Sequence, residues 1–158
     1  MVFGAMIVGT AISNIIGGVL GDWADKKNPK YGRTIVGQIS VVLGIPFTLF
    51  LFLKTENWDI LPLTILCFIT ALFISWPGKG SKEPMMSAVV PPELRSTAFA
   101  MTTFIESGFA AIVALIFGII ADRIDLHTAM IWTIPFPWII CAILFSGFYF
   151  TYPKDRAK

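Results

Sequence analysis

The stretch Val2–Leu53 reads VFGAMIVGTAISNIIGGVLGDWADKKNPKYGRTIVGQISVVLGIPFTLFLFL. Its first 20 residues, to Gly21, carry no charge. A cluster from Asp22 to Arg33 holds six charges. A second uncharged run then extends from Thr34 to Leu53. A helix needs about 20 apolar residues to cross the hydrocarbon core of a bilayer. Two such lengths joined by a short charged segment predict a pair of membrane-spanning helices turning back at one surface.

The same punctuation continues along the chain. Ile60–Gly78 and Thr128–Pro153 are uncharged, and Ser96–Ala121 is interrupted by Glu106 alone. Over all 158 residues 56% are hydrophobic and 14% charged, with a mean hydropathy of +0.77. A soluble domain carries nearer a quarter charged residues. The expected fold is an all-α polytopic membrane protein forming one domain over 1–158. Its five spans lie at about 2–21, 34–53, 59–77, 98–121 and 129–151. The first run lacks a basic segment before it and an A-x-A end, so it does not read as a cleaved signal peptide.

Basic residues set the orientation. Lys26, Lys27, Lys30 and Arg33 lie in the first loop; Lys79, Lys82 and Arg95 in the third; Lys154, Arg156 and Lys158 in the tail. The second and fourth loops hold only Lys54 and Arg123. The positive-inside rule places the ten in the cytoplasm, so the C-terminus is expected there and Met1 on the opposite side. Trp23, Trp58, Trp76, Trp132, Tyr31, Tyr149 and Tyr152 fall near span ends, where amphipathic rings favour the headgroup level. Trp138 lies deeper, beside Pro135 and Pro137.

Within the spans, Ala5, Gly9, Ser13, Gly17 and Gly21 recur every fourth residue, and Ala110, Ala114 and Gly118 repeat the spacing. Small residues in such rows let helix backbones approach closely. That serves static packing or, in a moving protein, sliding. Pro46, Pro135 and Pro137 sit at mid-span and each removes a backbone hydrogen bond. Asn14, Gln38 and Glu106 are the polar residues at depth that could meet a solute or a proton. An intramembrane carboxyl is costly, roughly 2.5–3.5 kcal/mol for a central Asp on insertion scales. Glu106 reads either as a proton-coupling or solute-contacting group or as an interfacial carboxylate reaching the rim.

Asp22 ends the first helix and Arg33 begins the second, each at the wrong pole of the helix dipole for its charge. Pairing with each other or with a neighbouring helix end would account for both. Hydration at the headgroup level is the alternative, and there an ion pair is weak.

The segment GGVLGDWADKKNPKYGR, Gly17–Arg33, resembles the cytoplasmic loop motif of the major facilitator superfamily. Gly18 and Asp22 match its opening and Gly32-Arg33 its close. Trp23 stands where that family has a base, and the turn is longer, leaving Lys26, Lys27 or Arg33 for the pairing role. Ile74–Ala111 is similar to the loop joining the fourth and fifth helices of a facilitator half, through Pro91, Pro92, Arg95, Ser96 and Ala98. The resemblance implies helices eight to twelve of a twelve-helix carrier, in its C-terminal half; the same order would also fit helices two to six of the first half. It implies a gating loop of Gly18, Asp22, Lys26, Gly32 and Arg33, and a third-loop motif at Pro91 and Arg95. The expected function is secondary, ATP-independent transport of a small solute as part of a larger transporter. A non-transporting membrane scaffold or assembly partner derived from the same fold is the alternative. The expected partners are the lipid bilayer, a small-molecule solute, and the missing transporter half or upstream helices.

Other chemistry finds little in the residues. WPGKGSK lacks the GxxxxGK[ST] order of a phosphate loop. No nucleophile–base signature or HExxH occurs, so no enzyme, catalytic group, cofactor or metal is expected. No basic patch marks a nucleic-acid surface. Gly118–Arg123, GIIADR, echoes the loop motif but falls on the sparsely charged side.

Overall fold

The computed structural model describes residues 1–54 and 58–156; Lys158 lies outside them, and for Lys54 only the backbone is described. The described residues are almost wholly helical and include no strand. Five stretches are long and apolar enough to cross a membrane: Val2–Lys27, Gly32–Leu53, Ile60–Val89, Pro92–Arg123 and Leu126–Ser146. The protein is therefore an all-α chain of the multi-pass membrane type.

α1 (Val2–Lys27) is uninterrupted. It closes on Asn28, whose side-chain oxygen accepts from the amides of Lys30 and Tyr31 at 3.2 and 3.3 Å. That Asx turn is the local reason the chain reverses there. α2 (Gly32–Lys54) contains Pro46 without ending at it.

α3 (Ile60–Ile74) continues where the sequence reading stops. A π-helical turn over Pro77–Lys82 leads into α4 (Glu83–Val89). The third helical unit thus runs well past the expected end near residue 77, and Lys79 and Lys82 ride on it rather than on a loop. A charge ends an apolar run but need not end a helix: Lys79 pairs with Glu83 one turn on, at 2.7 Å, a spacing that favours helix.

A short 3₁₀ turn (Pro92–Leu94) precedes α5 (Arg95–Arg123). The last span is broken. α6 (Leu126–Thr133) stops at Ile134, and α7 (Pro135–Ser146) starts on Pro135. Proline suits a first helical position because its missing N–H has no partner to lose. α8 (Phe148–Arg156) follows Gly147.

Packing centres on α1, α2, α3 and the π turn, with α7 laid against α2. Gly9, Ser13, Gly17 and Gly21 are buried along α1. A Cβ on Gly9 would stand 2.9 Å from the Ala71 side chain, and one on Gly17 would stand 3.0 Å from the Trp76 Cα. The Ser13 hydroxyl donates to the Leu72 carbonyl at 2.7 Å. The small-residue row is the surface on which α3 lies. A second notch row faces α7: Phe145 fills the space above Gly37, and Trp138 that above Gly44. Both pairs are seven residues apart, so the two rings enter successive notches of one helix face. This is why Trp138 lies deep.

The other small row behaves differently. Ala110 and Ala114 are exposed, a Cβ on Gly118 would meet nothing within 4 Å, and α5 has no buried residue. Its main neighbour is α6, the next helix in the chain.

Candidate functional site

Polar side chains gather at the end of the bundle that carries the basic segments. Asp22 and Asp25 lie one turn apart near the end of α1. Arg33 sits on the first turn of α2 and donates to Asp22 Oδ1 at 2.6 Å. The same guanidinium stands 3.4 Å from Asp25 Oδ2 and donates to the Gly80 carbonyl in the π turn at 3.4 Å. Ser81 answers by donating its hydroxyl to the Arg33 carbonyl at 2.6 Å. One arginine therefore ties the ends of α1, α2 and the third helical unit.

The fit depends on glycine at two positions. At Gly21 a Cβ would overlap the Gly80 carbonyl oxygen, and at Gly80 it would overlap the Gly17 carbonyl. Backbone meets backbone there, with no flexible side chain to move aside. Gly18, expected as the motif glycine, looks outward and a Cβ on it meets nothing within 4 Å. Gly32 is buried against the Ala24 carbonyl, where no side chain fits. The close approaches are thus at Gly17, Gly21, Gly32 and Gly80.

Asp25 has a second base. Arg156 of α8 donates to its Oδ1 at 2.5 Å and its Oδ2 at 3.3 Å. Arg156 also donates to the Pro29 carbonyl at 2.6 Å and reaches the Tyr152 hydroxyl at 3.1 Å. The hydrogen-bonded Asp25 carboxylate drives the Arg156 guanidinium above its ordinary value. Arg33 and Asp25 are largely buried, while Asp22 is open to solvent. Removing one member of a shielded pair strands the other; an exposed carboxylate simply hydrates.

Lys26 is exposed and makes no ion pair among the described residues. Lys27 stacks its ammonium 4.1 Å above the Trp23 ring. Of the three bases left open by the sequence, Arg33 is the one paired with Asp22.

A second polar contact lies apart from this cluster. Lys82, at the end of the π turn, pairs with Glu106 of α5. The Thr102 hydroxyl, one turn earlier on α5, points to the Met86 sulfur at 3.5 Å. Thr103, Glu106 and Ser107 form an exposed polar stripe on α5. Gln38 donates to the Ala142 carbonyl at 3.2 Å, linking α2 to α7, while its Oε1 is buried without a partner among the described residues. Asn14 is half-buried and makes no hydrogen bond among the described residues. Asn14, Gln38 and Glu106 therefore do not converge on one point. Pro91 and Arg95 serve a local turn: the Leu94 amide bonds Pro91, and Arg95 bonds the Val90 carbonyl at 3.2 Å.

The sequence reading overlooked Asp25, Arg156, Gly80, Ser81 and Lys82. A signal existed for Asp25, since it lies three residues after Asp22 and so on the same helix face. Arg156 counted only toward orientation; nothing local distinguishes it from Lys154. No family model, curated protein or solved structure matches the chain.

Proposed function

We propose that this chain is the membrane-embedded part of a secondary carrier of major facilitator type, moving a small solute without ATP, with its basic end in the cytoplasm. One observation carries the reading: Arg33 joins the end of α1, the start of α2 and the π turn through Asp22 and the Gly80 carbonyl, beside an α1–π-turn contact in which Gly17, Gly21 and Gly80 meet backbone to backbone. A helix pair in contact through backbone has few interlocking side chains to resist sliding or rocking. An ion pair on the rim of that contact can be made and broken as the helices move. Together they form a gate at the cytoplasmic end, of the kind alternating access requires.

The bare surface of α5 supports action with further helices. Thr103, Glu106 and Ser107 would be costly against lipid, and polar groups at this depth face protein or a wet cavity. A neighbouring half or upstream helices would provide both. In this arrangement Glu106, held by Lys82, is the group positioned to meet a proton or the solute. The scaffold reading draws on the same bare helix, which would then be a static docking face.

The test is uptake by the intact gene product in sealed vesicles, screened across small solutes. Asp22→Asn leaves the fold in place and removes the gate's charge. Altered transport of a solute that the wild type carries is expected. A wild type that carries none favours the scaffold, and a normal rate in Asp22→Asn removes the gate.

A further inference from the structure

Two carboxylates compete for Arg33, and the geometry settles the competition from a distance. Asp25 is the more buried of the two, with its side chain 18% exposed against 66% for Asp22. A shielded carboxylate gains more from a guanidinium than an exposed one does. Left to itself, Asp25 would draw Arg33 inward and away from Asp22. Arg33 already stands 3.4 Å from Asp25 Oδ2, and closer approach is checked by Arg156, which donates to both Asp25 oxygens. The charges then balance as two acids against two bases. Arg33 keeps its short bond to Asp22 and its reach to Gly80, with Asp25 as its longer, secondary ion pair.

We infer that α8 is a strap and that Arg156 is a positioning residue, holding Asp25 so that Arg33 stays on Asp22 and Gly80. The strap is itself anchored. Tyr152 is buried at 4% exposure, and its hydroxyl supports Arg156 one turn along the same helix. α8 continues from α7, whose Phe145 and Trp138 seat in the notches of α2. Arg156 thus connects the last span to the first helical turn-back, bringing the end of α1, the Asn28–Pro29 turn and α8 into one clamp. Releasing α8 would leave Asp25 to Arg33 alone, pull Arg33 from Asp22 toward Asp25 and loosen α1 from the π turn. That this movement opens a gate rests on the carrier reading; the movement itself needs no solute.

Spin-label distances in the intact protein, reconstituted in lipid vesicles, test it. Cys67→Ala and Cys141→Ala remove the native thiols. One label pair at Lys26→Cys and Lys154→Cys reports whether α8 is docked. A second at Lys26→Cys and Lys79→Cys reports the separation of α1 from the π turn. In the otherwise wild-type background both distributions are expected to be narrow. Arg156→Ala should broaden both, raising the ratio of long to short α1–π-turn distances about tenfold, the order that one charged hydrogen bond supports. Arg156→Lys, which restores the charge without the two-pronged geometry, should recover part of that change. Tyr152→Phe, which keeps the ring, should produce a smaller shift in the same direction. Broadening of the α8 distance alone would overturn the inference, as would a broad α8 distance in the wild-type background. A failed solute screen with these distance changes intact would sink the carrier reading and leave the strap standing.

Discussion

Gly21→Ala and Gly18→Ala add the same methyl group three residues apart on one helix, and the structure assigns them opposite signs. A Cβ at Gly21 would overlap the Gly80 carbonyl oxygen, so α1 and the π turn would have to part by about 1 Å to restore ordinary contact. Such a shift stretches the Arg33–Gly80 bond, already 3.4 Å, beyond hydrogen-bonding range. Overpacking of this kind costs about 1–3 kcal/mol, and alanine's better helix propensity returns about 1 kcal/mol. The net expectation is a loss of up to about 2 kcal/mol, set by the overpacking. At Gly18 there is no overlap, and only the propensity gain of up to about 1 kcal/mol remains. For a domain of this size a kcal/mol moves the melting temperature by about 2–4 °C, so the two variants, which differ by the overpacking cost, should melt about 2–12 °C apart with Gly21→Ala the lower. The assay is thermal unfolding of the full chain in detergent micelles, followed by tryptophan fluorescence. Trp76 packs on Gly17 one turn away and reports the separation directly. Equal melting temperatures would mean that α1 does not meet the π turn backbone to backbone, and the gate geometry would fall with it.

Two further predictions concern single carboxylates. Glu106→Gln removes the charge that Lys82 binds; uptake that depends on a proton gradient in the wild type should lose that dependence, and retained dependence would exclude Glu106 as the proton site. Asp125 accepts the Thr128 amide at 2.8 Å at the start of α6. Hydrogen bonds from the Thr128 side chain and amide, with further help from His127, hold this carboxyl below its usual value. A depressed carboxylate contributes stability that is present above its unfolded value, about 3.9, and is lost as pH falls through the lower folded value. Thr128 amide protection against hydrogen exchange should therefore persist at neutral pH and fall selectively in acid below about pH 4. Protection that is the same in Asp125→Ala as in the wild type would contradict the cap.

Element type was legible because lipid imposes a simple rule on composition. Uncharged runs of span length gave five spans, and the structure has five helical stretches able to cross. Element ends were less legible, for the reason Lys79 shows. Paired with Glu83, it lets the helix run on after the apolar run has stopped. Pro135 and Gly147 break the last span into three helices, although the run from Thr128 to Pro153 reads as continuous. The row Gly9–Gly21 announced a close contact, but nothing local said that Ala110–Gly118, of the same spacing, would lie bare. That difference depends on which surface a partner helix presents. Trp138 and Phe145 find Gly44 and Gly37 over a separation of about 100 residues, beyond any local pattern. The Asp22–Arg33 pair was readable from two misplaced charges beside one turn. Arg156 was not, because its partner lies 131 residues away.

The distribution of long-range polar contacts suggests where movement is permitted. At the basic end, Arg33, Ser81 and Arg156 join four segments that are distant in sequence. At the opposite end, Asp125 caps its own helix, and the contact reaching across is His127 to the Phe52 carbonyl at 2.7 Å. Between them the small residues of α1 receive Phe68 and Ala71 of α3, and among the described residues the Ser13–Leu72 bond is the polar contact joining α1 to α3. Ionic contacts can break and re-form at modest cost when each partner has water or a second partner to turn to. Asp22 has the water, and Asp25 has Arg156. An interlocked leucine core would offer no such exchange, since separating it opens cavities that cost several kcal/mol each. Smooth helices latched at one rim by shared charges are therefore better suited to a protein that alternates between two arrangements than to one that must hold a single arrangement against load. This asymmetry favours the carrier over the scaffold.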